Sequence, residues 1–482
     1  MKSIERLALR CLLPGFVGTV PPDWVKRRAA GGLGGVVLYA RNISDPDQLA
    51  GLTAALHAES PDLLIAVDEE GGDVTRLEAK TGSSYPGNLA LGAAGDPRLT
   101  RDVAASMGAE LSAAGVDLDL APDADVNSNP SNPVIGTRAF GPEASLVARH
   151  TSAWVEGLQG VGVAACAKHF PGHGDTSVDS HLALPVVSED PHQRALEPFK
   201  AAIAVGVQAI MSAHILVPAI DDVPGTISRR IMTDLLRGEL HFQGVAITDG
   251  LEMRGLSDGY GVAEGGVRAL FAGCDALCIG GGLADEDVVA EVGAAIVAAV
   301  EAGRLSEQRL AEAAGRIDTL AVWRSHQVRG AIADRRVGLV AARRAIKADG
   351  PVRIEDDATV VQVNWMRSIA AGQVNWGMAQ PLAQRGVRVT PVEVQESQEE
   401  GQVEVVSLLA RAEGQSLVLV VRDLHRHAWQ ANLADSLLAR RPDAVIVEMG
   451  LPQCRPKGAK AYIATSGAAR VCGEAAAEVM RP

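Results

Sequence analysis

Fourteen residues of the sequence, "KHFPGHGDTSVDSH" (168–181), contain three histidines, two aspartates and a lysine. Histidine titrates near neutral pH, so a positioned imidazole can donate and accept a proton within one reaction cycle. Asp179 and His181 lie two residues apart, and on an extended segment such residues project to the same side. The Asp179 carboxylate would then hold the His181 imidazole in one tautomer and raise its basicity. The spacing predicts a proton-transfer pair, with a solvated pair of loop residues as the alternative.

A metal site is a second interpretation of the same histidines. Zinc ligands on a helix stand four residues apart, and a third ligand comes from elsewhere in the chain. The histidine spacings here are four and eight, but the helix is interrupted by Pro171, Gly172 and Gly174. We therefore interpret the stretch as a strand that ends in a loop, and we expect neither a metal nor another cofactor.

Asp249 is a candidate nucleophile. In "VAITDGLEM" (245–253) it ends an apolar run and precedes Gly250. A carboxylate held at the end of a strand can attack an electrophilic carbon. The alternative is that Asp249 caps the helix that follows, as aspartate often does.

Two further stretches contain candidate binding residues. In "VDEEGGDVTRL" (67–77), three consecutive acids begin with Asp68. Adjacent carboxylates repel one another, so we expect a ligand or Arg76 to pair with them, with a strained polar turn as the alternative. In "NPVIGTRAFG" (132–141), Arg138 lies in a loop rich in proline and glycine, where it is a binding residue or a simple surface arginine.

The elements that would position these residues are short apolar runs alternating with Ala-rich helical stretches. Such a pattern is typical of an α/β protein with parallel strands covered on both faces. The runs lie at 14–19, 34–39, 63–68, 116–122, 161–169, 207–214, 244–249 and 275–280. Eight runs favour a (β/α)8 TIM-like barrel, whose catalytic groups follow the carboxyl ends of several strands. Most runs end in a polar residue, namely Asp68, Asp123, Lys168 with His169, His214 and Asp249.

The chain is longer than one ordinary core requires, at 482 residues. We predict a barrel domain at 1–325, a basic linker at 326–349 and a smaller α/β layered C-terminal domain at 350–482. Three buried strands are expected in the C-terminal domain, at 358–365, 416–424 and 443–452. A glycine-rich "GGLGG" at 31–35 precedes its strand instead of following it, so dinucleotide binding is not expected.

Charge and composition exclude several classes of partner. The net charge of −14 would repel a phosphate backbone, so nucleic acid is not expected as a partner. The six cysteines contain no CxxC pair, and we expect them to be buried free thiols. The N-terminal stretch predicts a helix leading into a strand, and no apolar run approaches the ~20 residues that span a bilayer. We therefore expect a cytoplasmic protein without membrane contact.

Five stretches, in this order, resemble the family 3 glycoside hydrolases, and specifically their β-N-acetylglucosaminidase branch. They are "DEEGGDVTRL", "NPVIGTRAFG", "KHFPGHGDTSVDSH", "MSAHILVPAID" and "ITDGLEM", and the resemblance covers about residues 10–320. The family often has Gln where Glu69 stands, Arg where Asp73 stands and a second Asp where Gly250 stands.

The resemblance implies a retaining mechanism that proceeds through a covalent glycosyl-enzyme. It assigns Asp249 as the nucleophile and His181 as the general acid and base, with Asp179 as the partner of His181. It also assigns sugar-binding residues of the −1 subsite, namely Asp68, Arg76, Arg138, Lys168 and His169.

The implied substrate is a terminal β-linked N-acetylglucosamine, in muropeptide fragments of peptidoglycan recycling or in chitin-type oligosaccharides. The C-terminal domain is expected to stabilise or frame the cleft, and the oligomeric state is left open. Three alternatives remain: a phosphorylase that uses phosphate in place of water, a β-glucosidase and a non-catalytic sugar-binding protein.

Overall fold

The computed structural model describes residues 3–282, 285–363, 369, 371–372, 376–395 and 402–482. The chain divides into two compact units. The first comprises Met1–Glu70, Thr100–Ile135 and Pro142–Asp334, and the second comprises Gly71–Leu99, Gly136–Gly141 and Arg335–Pro482. Two segments from the first third of the sequence therefore belong to the second unit.

The first unit contains eight parallel strands. They are β1 (Leu12–Pro14), β2 (Gly35–Leu38), β3 (Leu64–Val67), β4 (Leu118–Asp119), β5 (Ala164–Phe170), β6 (Ala209–Ser212), β7 (Val245–Thr248) and β8 (Leu277–Ile279). Strands β2 to β7 pair in sequence order, and β1 pairs with β8. A bridge between Ile247 and Ala276 joins β7 to the start of β8. Next to β1, the N–H of Gly34 donates to the carbonyl of Leu9 (3.3 Å), which brings β1 beside β2.

Helices connect these strands. Up to Ser325 they are α1 (Ser3–Arg10), α2 (Asp23–Ala30), α3 (Pro46–Glu59), α4 (Asn88–Ala94), α5 (Pro97–Ala113), α6 (Ala144–Gln159), α7 (Glu197–Ala204), α8 (Arg254–Tyr260), α9 (Val262–Ala272), α10 (Glu286–Glu301) and α11 (Glu307–Ser325), with a π-helical segment at Arg230–Glu239. Side-chain caps start several of them: Asp45, Asp285 and Ser306 accept N–H bonds at the first turns of α3, α10 and α11. Such caps satisfy backbone donors that the helix itself leaves unpaired.

One apolar cluster fills the centre of the first unit and includes residues from all eight strands. Its members include Leu13, Val37, Ala66, Leu118, Cys166, Met211, Ile247 and Cys278. A shared core of this kind is the filled interior of a barrel. The predicted (β/α)8 barrel is therefore confirmed, as is the helix that leads into a strand at the N-terminus.

The first strand lies earlier than predicted. The sequence predicts it at 14–19, but β1 covers Leu12–Pro14, in register with Leu277–Ile279 of β8. The apolar character of 14–19 is misleading because Val17, with 69% of its surface exposed, is not part of the core.

The second unit is a layered α/β domain. Its strands are β9 (Lys347–Asp349), β10 (Asp357–Val363), β11 (Arg388–Val394), β12 (Ser416–Val421), β13 (Val445–Glu448) and β14 (Ala461–Ala464). The sheet order is β11-β10-β12-β13-β14-β9, and only the edge strand β9 is antiparallel. The remaining helices are α12 (Arg336–Ala345), α13 (Ala379–Gln384), α14 (Gln402–Arg411), α15 (Ala428–Leu438) and α16 (Arg470–Met480).

Alternate residues of β12 pack into two separate cores. Val418 and Val420 join one apolar cluster, whereas Leu417 and Leu419 join the other. This alternation shows that the sheet has a covered face on each side. The predicted layered domain is confirmed.

Strands were expected in three stretches of this unit, and the structure has β10, β12 and β13 there. Asn364 and Trp365 of the first stretch lie outside the described residues. Helix α12 and strand β9 lie within the range 326–349 that the sequence predicts as a linker.

The cysteines differ from expectation at one position. Five of the six are buried free thiols, but Cys454 is exposed. It lies in a stretch without regular structure between β13 and β14. Within the described residues, no helix has both the length and the apolar character that crossing a membrane requires.

Candidate active site

Charged residues collect where the barrel strands end. Asp68 follows β3, Lys168 and His169 are among the last three residues of β5, and Asp249 follows β7. Asp123, just after β4, forms a bridge with Lys168. Because the strands are parallel, their carboxyl ends open on one face of the barrel, where such folds place their active sites.

Lys168 is a buried lysine shared by two carboxylates. Only 2% of its side chain is exposed, and its ammonium contacts Asp68 and, at 2.6 Å, Glu70. Two anions compensate the loss of hydration that burial imposes on the ammonium. Asp68 remains partly exposed, so its carboxylate can also accept a hydrogen bond from a ligand. The run of acids therefore has a cationic partner from β5.

His169 is oriented by a buried carboxylate. Its Nδ1 lies 2.7 Å from Oδ2 of Asp125, and the same carboxylate accepts the N–H of His173 at 2.6 Å. Burial raises the pKa of Asp125, but the charge and hydrogen bond of His169 outweigh it and hold the pKa below its ordinary value. An anionic Asp125 accepts a hydrogen bond from the Nδ1–H of His169, which fixes the tautomer of the imidazole.

The donor atoms of Asp123, Asp125 and His169 lie within 4.8 Å of one another, close enough to hold a cation. Hydrogen bonds from His169 and His173 already satisfy Asp125. The absence of a metal therefore stays a prediction.

Asp179 and His181 are in contact. Nδ1 of His181 lies 2.7 Å from Oδ1 of Asp179, and the backbone N–H of His181 donates to the same oxygen at 2.9 Å. Burial raises the pKa of Asp179, but the hydrogen bond and charge of His181 bring it below its ordinary value. A carboxylate in this position fixes the tautomer of the imidazole.

The backbone that creates this contact is not the extended segment that the spacing predicted. The carbonyl of Asp179 accepts the N–H groups of Leu182 (2.9 Å) and Ala183 (3.1 Å), so the chain turns here. The prediction of an extended segment is wrong because the Asp179 side chain bonds the backbone two residues on, which stabilises a turn.

Asp249 is held as an anion. Burial raises its pKa, but His169, His214, His181 and the N–H of Gly250 together lower it below its ordinary value. Helix α8 starts after Met253, and Oδ1 of Asp249 accepts the Gly250 N–H at 2.8 Å. The helix-capping interpretation is therefore wrong, and the carboxylate can act as a nucleophile.

Buried His214 supports this strand end. Its Nε2 donates to the carbonyl of Gly250 at 2.9 Å, and its Nδ1 contacts Oγ1 of Thr226 at 2.7 Å. These bonds fix the peptide that follows Asp249.

The two predicted arginines belong to the second unit. Arg76 is partly buried in Gly71–Leu99, and buried Arg138 ends a 3₁₀ turn at Gly136–Arg138. The carbonyl of Arg138 accepts from Asn88 at 2.7 Å. The other predicted residues, Asp68, Lys168, His169, Asp179, His181 and Asp249, lie in the first unit, and every assigned role in sugar binding stays a prediction.

Sequence reasoning missed two residues of this constellation. In the sequence, Glu70 is one member of a run of acids, and Asp125 is not among the predicted site residues. Asp125 stands two residues beyond Asp123 in "PDADVN" (122–127), and this repeat of acids after a strand was the available signal.

Comparison with known proteins identifies the family of the chain. The model of the glycosyl hydrolase family 3 N-terminal domain matches residues 22–320. Beta-hexosaminidase A of Pseudoalteromonas piscicida is 34% identical over 386 residues, covering 72% of this chain and 64% of that protein. The chain therefore spans less than two thirds of that relative's length. A beta-hexosaminidase of Nitrosomonas eutropha is 40% identical over 257 residues, covering 51% of this chain and 73% of that protein.

A solved structure resembles the chain over its whole length. It is a glycoside hydrolase family 3 beta-N-acetylglucosaminidase from Paenibacillus sp., 32% identical, with a TM-score of 0.89. The match covers 100% of this chain and 97% of the other. On these grounds, the chain belongs to glycosyl hydrolase family 3.

Proposed function

We propose that the protein is a retaining β-N-acetylglucosaminidase that releases terminal β-linked N-acetylglucosamine. The observation that carries the proposal is that Asp249 follows the end of β7 and the Asp179–His181 contact follows the end of β5, at the carboxyl ends of the barrel strands. Retaining hydrolysis needs one nucleophile and one group that acts first as acid and then as base. The names of the relatives supply the sugar, because they are hexosaminidases and an N-acetylglucosaminidase.

In the first step, a carboxylate oxygen of Asp249 attacks the anomeric carbon and the bond to the leaving group breaks. His181 donates a proton to the departing oxygen, and Asp179 stabilises the orientation of the imidazole. In the second step, His181 removes a proton from water, which attacks the anomeric carbon and releases Asp249. A histidine suits this task beside an anionic nucleophile because two carboxylates would repel each other.

Sugar hydroxyls would be bound by further charged residues. Asp68 would accept hydrogen bonds, and Lys168 and His169 would orient the ring from the end of β5. Arg76 and Arg138 would donate to hydroxyls, to the N-acetyl carbonyl or to an acidic substituent of the substrate.

The covalent intermediate gives a direct test. A fluorinated N-acetylglucosaminyl fluoride that forms the glycosyl-enzyme quickly and hydrolyses slowly should add one sugar mass to the intact protein. Peptide mapping should place that mass on Asp249. A label on any other residue, or turnover of a β-glucoside faster than of the matched N-acetylglucosaminide, would contradict the proposal.

The proposal extends to the source of the substrate and to location. We assign the enzyme to muropeptide fragments in peptidoglycan recycling or to chitin-type oligosaccharides, in the cytoplasm. Comparing kcat/KM for a muropeptide and for N,N′-diacetylchitobiose would separate the two substrates, and fractionation of cells that express the chain would test the location.

A phosphorylase is the second candidate, and the Asp179–His181 contact favours it. A histidine acid and base tolerates an incoming phosphate anion, whereas a carboxylate would repel it. Phosphate would attack the anomeric carbon of the glycosyl-enzyme and yield a sugar 1-phosphate. Product analysis with and without phosphate distinguishes the two candidates. A hydrolase yields free sugar in both cases, whereas a phosphorylase yields sugar 1-phosphate when phosphate is present.

A further inference from the structure

We propose that Ser180 is a positioning residue that sets the place of the Asp179–His181 pair through bonds to His173 and to helix α8. The inference rests on the proposed function only in taking that pair as the acid and base. It assigns a role to His173, which the sequence motif contains and the mechanism does not use.

Ser180 is the inward-facing residue of an exposed turn. Only 2% of its surface is accessible, whereas Val178 is 39% and Leu182 is 55% exposed. Asp179, at 7%, is also buried, so the turn meets the rest of the barrel at Asp179 and Ser180, next to His181.

The Ser180 side chain is held by a buried neutral histidine. Oγ of Ser180 lies 3.0 Å from Nε2 of His173, and Nδ1 of that ring lies 2.7 Å from Oγ1 of Thr176. Burial lowers the pKa of His173 to about 4. A neutral imidazole has one donor and one acceptor. Because Oγ1 of Thr176 donates to the carbonyl of His173 at 3.0 Å, Nδ1 of the ring donates to Thr176 and Nε2 accepts the proton of the Ser180 hydroxyl.

The backbone of Ser180 is fixed from the other side. Its carbonyl accepts the N–H of Gly255 at 3.0 Å, in the first turn of α8. A side chain at Gly255 would place a Cβ 3.1 Å from that carbonyl and 3.0 Å from the carbonyl of His214. His214 also binds the carbonyl of Gly250. The turn is thereby connected to the peptide that follows Asp249.

His173 is itself anchored firmly. Its N–H donates to Asp125 at 2.6 Å, and Asn132 donates to its carbonyl at 2.9 Å. A Cβ at Gly174 would stand 1.9 Å from the carbonyl of Val126. The backbone at Gly174 therefore packs against the backbone at Val126 at a distance that only glycine permits. Asp125 therefore has two roles: it orients His169, and it holds His173, which in turn contacts Ser180.

Loss of the Ser180 hydroxyl would leave the local Asp179–His181 bond in place but release the turn that presents it. General acid catalysis contributes about 10²- to 10⁴-fold, and a misplacement of about 1 Å removes a large part of such a contribution. In Ser180→Ala we expect kcat/KM to fall about 10- to 100-fold for N,N′-diacetylchitobiose, whose leaving group needs a proton. The fall in kcat/KM should be less than about 3-fold for a dinitrophenyl N-acetylglucosaminide, because kcat/KM reports formation of the glycosyl-enzyme and this leaving group needs little protonation.

Two substitutions of His173 form a matched control. Glutamine can place an amide where Nε2 stands and keep the bond to Ser180, whereas asparagine reaches only the position of Nδ1 and the bond to Thr176. His173→Gln should retain most activity on both substrates, and His173→Asn should repeat the leaving-group dependence of Ser180→Ala. The double variant Ser180→Ala with His173→Asn should be no worse than either single variant, since one interaction is removed twice.

His181→Ala separates this inference from the proposed function. If His181→Ala slows both substrates equally, the acid role fails and the positioning inference fails with it. If His181→Ala slows only the poor leaving group while Ser180→Ala slows both equally or neither, the proposed function stands and the inference is overturned. Equal activity of His173→Gln and His173→Asn would overturn it as well, even if Ser180→Ala does not fold.

Discussion

Nδ1 of His181 lies 2.7 Å from Oδ1 of Asp179, and the backbone N–H of His181 bonds the same oxygen. One carboxylate oxygen thus fixes both the ring and the peptide of the proposed acid. In the proposed mechanism, the other ring nitrogen, Nε2, exchanges a proton with the substrate.

Removing that proton donor should affect substrates unequally. In His181→Ala we expect kcat/KM for N,N′-diacetylchitobiose to fall about 10²- to 10⁴-fold, and much less for a dinitrophenyl glycoside. Asp179→Asn should show the same pattern at smaller amplitude, because the imidazole stays but loses its anionic partner. Steady-state kinetics on both substrates measures this, and a uniform loss would contradict the acid role.

Asp249→Asn should abolish turnover of every substrate, including those with good leaving groups, because the first covalent bond cannot form. Ligand binding should persist, since the remaining charged groups are unchanged. Calorimetric titration with N-acetylglucosamine checks this, with His181→Ala as the comparison. Turnover by Asp249→Asn of the dinitrophenyl glycoside at a rate near that of the parent would contradict its role as nucleophile.

The buried ammonium of Lys168 should matter for stability as well as for activity. Lys168→Met keeps most of the volume but removes the cation shared by Asp68 and Glu70. Breaking a buried ion pair in this way costs about 3–5 kcal/mol of unfolding free energy. Urea unfolding measures the loss, and Glu70→Gln, which keeps the contact between Lys168 and Asp68, should cost less.

Asp117 should make the stability of the first unit depend on acid pH. It is fully buried and pairs with His57 (2.9 Å), Arg324 (3.3 Å) and Arg329 (2.7 Å). Burial raises the pKa of Asp117, but the effect of these partners is larger and brings the pKa below its ordinary value. Its stabilisation is therefore present above the unfolded value of about 3.9 and is lost as the pH falls through the lower folded value.

We expect Asp117→Asn to lower the unfolding free energy at pH 7 by about 3–5 kcal/mol and to weaken its dependence on pH below about 4. Urea unfolding across that range is the measurement. Asp318→Asn is a matched control. The Asp318 carboxylate pairs with Arg10 but is itself exposed, and an exposed ion pair contributes only about 0–1 kcal/mol.

The buried side chain of Arg422, in the second unit, should hold the segment that contains Asp73 and Arg76 in position. Arg422 forms two hydrogen bonds to Asp73, and Oγ1 of Thr137 also donates to Asp73, at 2.7 Å. Arg422→Lys retains the charge but loses the forked geometry. We expect it to raise KM several-fold with a smaller change in kcat, and we expect Arg388→Lys, at the exposed pair with Asp357, to change neither.

The sequence by itself determined the number and order of the barrel strands and the contact between Asp179 and His181. Both depend on local information: apolar runs mark parallel strands, and residues two apart are close in either an extended segment or a turn. It also placed Lys168 and His169 at a strand end, because Pro171 and Gly172 stop the strand.

Only the tertiary structure decided which distant groups meet. Lys168 pairs with Asp68 across 100 residues, and Asp125 binds the His173 N–H across 48. It also decided that Gly71–Leu99 and Gly136–Gly141 belong to the second unit and that Ser180 faces inward. Such pairings follow from the closure of the barrel and from which face of a loop is buried, and neither is written in the spacing of neighbouring residues.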